Sequence, residues 1–302
     1  MKILITGSSG LIGGVLMQRL AADGHEIVRL IRRPVRDPEH ELRWSPRHGR
    51  IDRDGVANMD AVIHLAGKNV AAGRWNDRLK QEIQDSRVDS TELLANTMAE
   101  LRKEGRGPSI LLSTSATGFY GSRGDDTLTE SASPGEGFLA DVCMDWEDAA
   151  KPARDAGVRV AHMRLGVVLT RDGGMLPKLE PLFRLGLGGP IGDGQQWFPW
   201  VHVDDVADAF AFALTEDSLS GPVNVTAPNP VRHGEFVKAL GKVLNRPTVI
   251  PVPAALAELA MGKEMARDMV LASQRVVPEK LVEHGFAFRY AQVDDALRAA
   301  LG

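Results

Sequence analysis

The residues of this chain best suited to chemistry lie near its start. Thr6-Gly7-Ser8-Ser9-Gly10-Leu11-Ile12-Gly13 sets three glycines at regular spacing among small hydroxyl side chains. Gly7 permits a tight turn. Gly10 keeps a Cβ from standing between the backbone and a diphosphate, and Gly13 lets a helix lie close to the strand before it. The backbone N–H groups from Ser9 and Gly10 through Leu11, Ile12 and Gly13 then make a seat for an anion. Such a seat fits the diphosphate of a dinucleotide. Arg32-Arg33 stand where an NAD site usually has Asp or Glu for the ribose 2′-OH. A guanidinium pairs instead with a 2′-phosphate. At about 1.5–3 kcal/mol for a charged contact, the arginines predict a roughly ten- to hundredfold preference for NADP, with NAD the lesser partner. A second group, Ser113-Thr114-Ser115 followed by Tyr120, offers neutral donors.

These groups need a frame, and the periodicity supplies one. Lys2-Ile3-Leu4-Ile5-Thr6 is a short β-branched apolar run, right for a buried parallel strand. Leu11, Val15, Leu16, Leu20 and Ala21 then share one helical face, and Gly24 ends that helix. Glu26 to Ile31 reads as a second strand. The polar stretch 34–56, broken by Pro34, Pro38 and Pro46, covers the sheet edge. Asp60 to Gly67 reads as the next buried strand, its small-residue turn at Leu65-Ala66-Gly67 bordering the cofactor, with Lys68 and Asn69 beside the substrate. His64 itself reads as a packed strand residue. Arg74-Trp75 opens a long helix through Arg102, with Trp75 lining the site. Ser109 to Gly121 and Val158 to Leu169 each read as a further strand with its exit loop, and Gly221 to Val225 as the last strand. Met175 to Gly194 is rich in glycine and proline and reads as a mobile loop shaping the substrate cleft. Asp204 or Asp205 caps the helix after it.

The pattern predicts an α/β protein with a Rossmann-type, doubly wound parallel sheet over residues 1–225, in which 170–200 contribute to the substrate cleft. A small, mostly helical lobe, 229–302, covers the substrate. The chain has 302 residues, 43% of them hydrophobic and 25% charged, with a net charge of −4. No basic surplus serves nucleic acid. One cysteine excludes a disulfide framework and a cysteine-rich zinc site, and Cys143 reads as a small buried hydrophobe. No apolar run reaches membrane-spanning length, and no signal peptide precedes the first strand, which points to the cytoplasm. A small molecule is the expected partner, with the chain a monomer or homodimer and no metal.

Thr6-Gly-x-x-Gly-x-x-Gly resembles the fingerprint of the extended short-chain dehydrogenase/reductase superfamily. The resemblance implies that Ser115 hydrogen-bonds a substrate oxygen and that Arg164, Leu165, Gly166 and Val167 pass beside the nicotinamide. It also implies a Tyr-x-x-x-Lys pair on the next helix, and that pair is missing. The chain has two tyrosines, Tyr120 and Tyr290, followed four residues later by Gly124 and Asp294. Counting back from Glu147, Leu139 stands at the tyrosine position and Cys143 at the lysine position. Leucine transfers no proton. Tyr120, Asp141, Cys143 and Glu147 remain as candidates, Tyr120 foremost. Ala66-Gly67 with Arg74-Trp75, Phe138-Leu139-Ala140 with Trp146-Glu147, and Gly186-Leu187-Gly188-Gly189-Pro190 are similar to the atypical "epimerase family protein" branch, whose C-terminal domain has no known function. That branch commonly has an acid where this chain has Lys68. Two expectations follow: an NADP-dependent oxidoreductase or epimerase-like enzyme, or a protein that binds NADP as a structural or regulatory ligand.

Overall fold

The computed structural model describes all 302 residues, Met1–Gly302. At its centre lies one sheet with the strand order Gly221–Val225, Arg159–Leu165, Ile110–Ala116, Ala61–His64, Lys2–Thr6, Glu26–Ile31, Glu41–Ser45, Arg50–Ile51. Every pairing is parallel except the last, where Trp44 faces Ile51 across an antiparallel edge. The order reverses at Lys2–Thr6, because the next strand lies on one side of it and Ala61–His64 on the other. A crevice therefore opens at the carboxyl end of the first strand.

The sheet is covered on both faces. Ile3 and Ile5 enter one core with Leu16 and Leu20 of the helix Leu11–Ala22 and Phe210 of the helix Val203–Thr215. Leu4, pointing the other way, enters the opposite core with Leu94 and Met98 of the helix Asp77–Lys103. Burial on both sides explains why these strands read as unbroken apolar runs. Ala21, expected on the buried face of the first helix, is exposed. The long helix begins at Asp77 and not at Arg74-Trp75. Asn76 caps it, its Oδ1 accepting from Leu79 N at 2.9 Å.

A third core spans the junction between the two parts of the chain. Helices His233–Leu244 and Val293–Leu301 pack with Leu169, Leu176, Phe183 and Trp200. Residues 229–302 thus share their core with 169–200. Strand Val231–Arg232 pairs with Trp197–Phe198, and Arg275–Val276 pairs with Thr127–Leu128. The stretch expected as a mobile loop contains the helix Leu176–Arg184, held by buried Leu176 and Phe183. Apolar burial outweighs its proline and glycine content there. Neither Asp204 nor Asp205 caps the helix Val203–Thr215. His202 does so, its Nδ1 accepting from Asp204 N at 3.2 Å. Asp205 is fully buried and accepts from Arg289 N at 2.6 Å and Tyr290 N at 3.1 Å, anchoring the C-terminal segment.

Candidate functional site

The glycine turn behaves as its spacing demands. Gly7 has φ +66°, and a Cβ there would come within 2.8 Å of the Leu65 carbonyl. At Gly13 a Cβ would lie 2.6 Å from Gly7 O, so the helix packs on the turn itself. Gly10 differs, since its Cβ would meet only Gly7 O, at 3.1 Å, leaving open space above it. No side chain caps the helix Leu11–Ala22, and no acid stands in its first turn. The N–H groups of Leu11, Ile12 and Gly13 are left facing the crevice, next to exposed Ser9. Gly173 and Gly174 border the same place. A Cβ on Gly173 would lie 2.8 Å from Leu11 Cδ1, a neighbour that the sequence does not announce.

Thr6 turns its side chain to the neighbouring strand end. It is fully buried, and its Oγ1 accepts from Leu65 N and Ala66 N, each at 3.1 Å. It thereby holds the Leu65-Ala66-Gly67 turn against Gly7. The same Oγ1 lies 2.6 Å from His64 Nδ1. Ser90 Oγ donates to Ser86 O at 2.8 Å and so accepts from His64 Nε2 at 3.0 Å, which assigns the proton to Nε2. Burial, with the Arg87 charge nearby, pulls the His64 pKa down to about 3. The ring is a neutral strut, as its apolar run implies.

The two arginines after the second strand part company. Arg33 donates to both oxygens of Glu41, at 2.9 and 2.5 Å, and Arg29 adds a bond at 2.6 Å. Hydrogen bonds from Arg33 and from the Arg36 N–H hold the Glu41 carboxyl down at about 2. Arg33 is therefore already neutralised by a carboxylate. Arg32 is exposed and makes neither an ion pair nor a hydrogen bond. Of the pair, Arg32 alone is free to meet a phosphate.

The hydroxyl cluster is inward. Ser113 is fully buried within its strand and so does not present its side chain to a cofactor. Ser115, 1% exposed, donates to Glu147 Oε1 at 2.7 Å. Arg164 grips that carboxylate through Nε and Nη2, both at 2.8 Å, and gives Nη1 to the Tyr120 hydroxyl at 2.9 Å. Tyr120 in turn donates to Asn224 Oδ1 at 2.6 Å. This chain ties the helix Phe138–Asp148 to the sheet. Two expectations are corrected by it. Tyr120 has no exposure and its proton is committed, with burial raising its pKa, so it is no accessible proton donor. Ser115 is likewise committed to a carboxylate. Arg164 is buried with its guanidinium 3.5 Å from the centre of the Phe119 ring, and it holds the frame, not a cofactor. Leu165 is buried, whereas Gly166 and Val167 pass under Pro199, whose carbonyl accepts from Val167 N at 2.7 Å. Cys143 packs as expected, and burial pushes its thiol up to about 11.

Three expected substrate contacts lie elsewhere. Lys68 is exposed and pairs with Glu82 at 3.0 Å, and Asn69 Oδ1 accepts from Ala71 N at 2.8 Å within a surface turn. Trp75 donates to Val70 O at 2.9 Å and meets the Phe138 ring edge-on at 4.9 Å. A cavity of about 530 Å³ is lined by Gly118, Arg123, Gly137, Leu139, Asp268 and Gln274 among others. It includes no residue of 170–200. Leu139 thus faces the space that a proton-transferring side chain would command. Asp268 and Gln274 come from the C-terminal part, where no motif marks them.

Residues 3–226 match the NAD dependent epimerase/dehydratase family. The chain belongs to that family. Residues 252–300 of this epimerase/dehydratase-family chain match a domain of unknown function, DUF1731. An epimerase family protein of Mycobacterium tuberculosis is 41% identical over 295 residues, spanning 98% of this chain and 96% of its own length. Human epimerase family protein SDR39U1 (isoform 2), crystallised with NADPH, superimposes with a TM-score of 0.88 at 30% identity over 99% of both chains. The nucleoside-diphosphate sugar epimerase from Corynebacterium glutamicum gives a TM-score of 0.81 at 38% identity, covering 100% of this chain and 58% of its own.

Proposed function

We propose that this epimerase/dehydratase-family chain binds NADPH and acts as an oxidoreductase or epimerase-like protein on a small polar, carbonyl or sugar-like molecule. One observation carries the cofactor reading: an uncapped helix start behind Gly7, Gly10 and Gly13, with an unpaired Arg32 at the end of the second strand. The amides of Leu11 to Gly13 would hold the diphosphate, and Arg32 the 2′-phosphate. Bound there, the nicotinamide would supply or accept hydride. The bound NADPH of the human relative supports the choice of dinucleotide.

Of this chain's own residues, Glu147 and Arg164 fix the helix that carries Leu139, and Leu139 keeps that position apolar. Proton transfer then falls to the substrate or to water. The same leucine, together with the committed Tyr120, favours a second reading in which NADPH is a structural or redox-sensing ligand without turnover. Fluorescence titration should give a lower dissociation constant for NADPH than for NADH, and equal constants would sink the assignment. Following NADPH absorbance over a panel of carbonyls and nucleotide sugars separates the readings. Consumption supports the enzyme, and tight binding with none supports the second.

A further inference from the structure

At the wall of the cavity beside Leu139, one buried polar atom is left unserved by the fold. Asp268, on the helix Lys263–Met269, has a side chain only 7% exposed. Its Oδ1 accepts from Arg267 Nε at 3.0 Å, whereas Oδ2 is buried with no donor. Oδ2 lies over Gly137, at the start of the helix Phe138–Asp148, where a Cβ would come within 2.9 Å of it. Both residues line the cavity of about 530 Å³, as Leu139 does. The cationic groups of that lining each have a partner. Arg123 donates to Ser133 O at 3.2 Å and stands 3.9 Å from Asp126, and Arg267 is held by Asp268 itself. Gln274 gives its amide to Gly121 O at 3.0 Å. Glu136, the remaining charge, is exposed. The group in want of a partner is therefore an acceptor, and a buried acceptor without a donor destabilises a fold until something supplies one.

We propose that this cavity seats the substrate and that Asp268 Oδ2 accepts a hydrogen bond from it, so that the molecule presents a hydroxyl or an ammonium there and not a phosphate or carboxylate. The inference rests on reading the cavity as the substrate's place. A second carboxylate or a phosphate would meet like charge at close range beside this buried oxygen. The volume suits a sugar-sized molecule.

The test uses the full chain, with and without NADPH, titrated with D-glucose, D-glucosamine and D-glucuronate. Amide NMR shifts of residues 135–137 and 272–274 report binding. Glucose or glucosamine should move these signals in the millimolar range. Glucuronate should bind about tenfold more weakly or worse, and Asp268→Asn should weaken the better neutral or cationic ligand by about tenfold. Glucosamine ahead of glucose assigns an ammonium, and the reverse order a hydroxyl. The inference falls if none of the three moves those amides, if glucuronate binds best, or if Asp268→Asn changes nothing. A melting experiment excludes the rival in which the carboxylate merely complements the helix start. Asp268→Asn should melt no lower than the parent, and a fall of more than about 4 °C would overturn the proposal. Failure to bind NADPH would count against the cofactor reading alone, because the sugar titration without NADPH judges the cavity separately.

Discussion

At the scale of single residues, the arrangement separates groups that look alike in one dimension. Arg32 and Arg33 are adjacent arginines, yet Glu41 has absorbed one of them. Arg32→Ala should raise the NADPH dissociation constant by roughly ten- to a hundredfold while leaving NADH unchanged. Arg33→Ala should lower thermal stability and leave the NADPH-to-NADH ratio near that of the parent. Fluorescence titration of both dinucleotides checks the pair of outcomes. The Glu147–Arg164 ion pair has side chains 12% and 4% exposed. Glu147→Ala leaves a buried guanidinium uncompensated and should cost about 3–5 kcal/mol, measured by urea unfolding.

Among elements, the contact between the first turn and its helix makes the sharpest forecast. Gly10 and Gly13 belong to one motif but face different surroundings. A Cβ at Gly13 meets backbone atoms of Gly7 and Ser8 that have nowhere to go. Gly13→Ala should therefore cost about 1–3 kcal/mol of stability and also impair NADPH binding. Gly10 has φ −82° and ψ 177°, backbone that alanine adopts, with open space beyond it. Gly10→Ala should hold its stability within about 0.5 kcal/mol and weaken NADPH by about tenfold or more, because the methyl stands where the diphosphate would lie. Thermal melts alongside the titration distinguish the two variants, and equal melting temperatures would refute the contrast.

For the molecule as a whole, buried histidines contribute to the response to acid. Burial pulls down the pKa values of His64, to about 3, and of His233, to about 4, and lowers those of His162 and His202. The unfolded chain titrates these rings near pH 6.5, so it binds more protons than the folded one below that value. Their stabilisation is complete above about pH 6.5 and is lost as the pH falls toward the folded values. Each unit of pH is about 1.4 kcal/mol, so His64 alone accounts for roughly 2 kcal/mol between pH 6.5 and 5. Glu130 and Asp205, raised by burial, act in the opposite sense. His64→Gln isolates the ring: urea unfolding at pH 7 and 5 should show a smaller pH difference for the variant than for the parent.

Legibility in the sequence follows from how local each interaction is. The strand–turn–helix start, the parallel strands and the packed state of His64 could all be read in one dimension. Each rests on period, on glycine spacing or on an apolar run within a few residues. The missing Tyr-x-x-x-Lys pair was equally plain, since an absence at fixed spacing needs no fold. Tertiary structure alone decided what depends on partners far away in the chain. It buried Ser115 and Tyr120 through Glu147, Arg164 and Asn224, it set Thr6 under residues 65–66, and it turned Lys68 and Trp75 aside. It also joined residues 229–302 to 169–200 in one core and brought Asp268 over Gly137. A hydroxyl or carboxylate has the same formula whether it faces a crevice or a buried donor, and only the packing of distant segments determines which it meets.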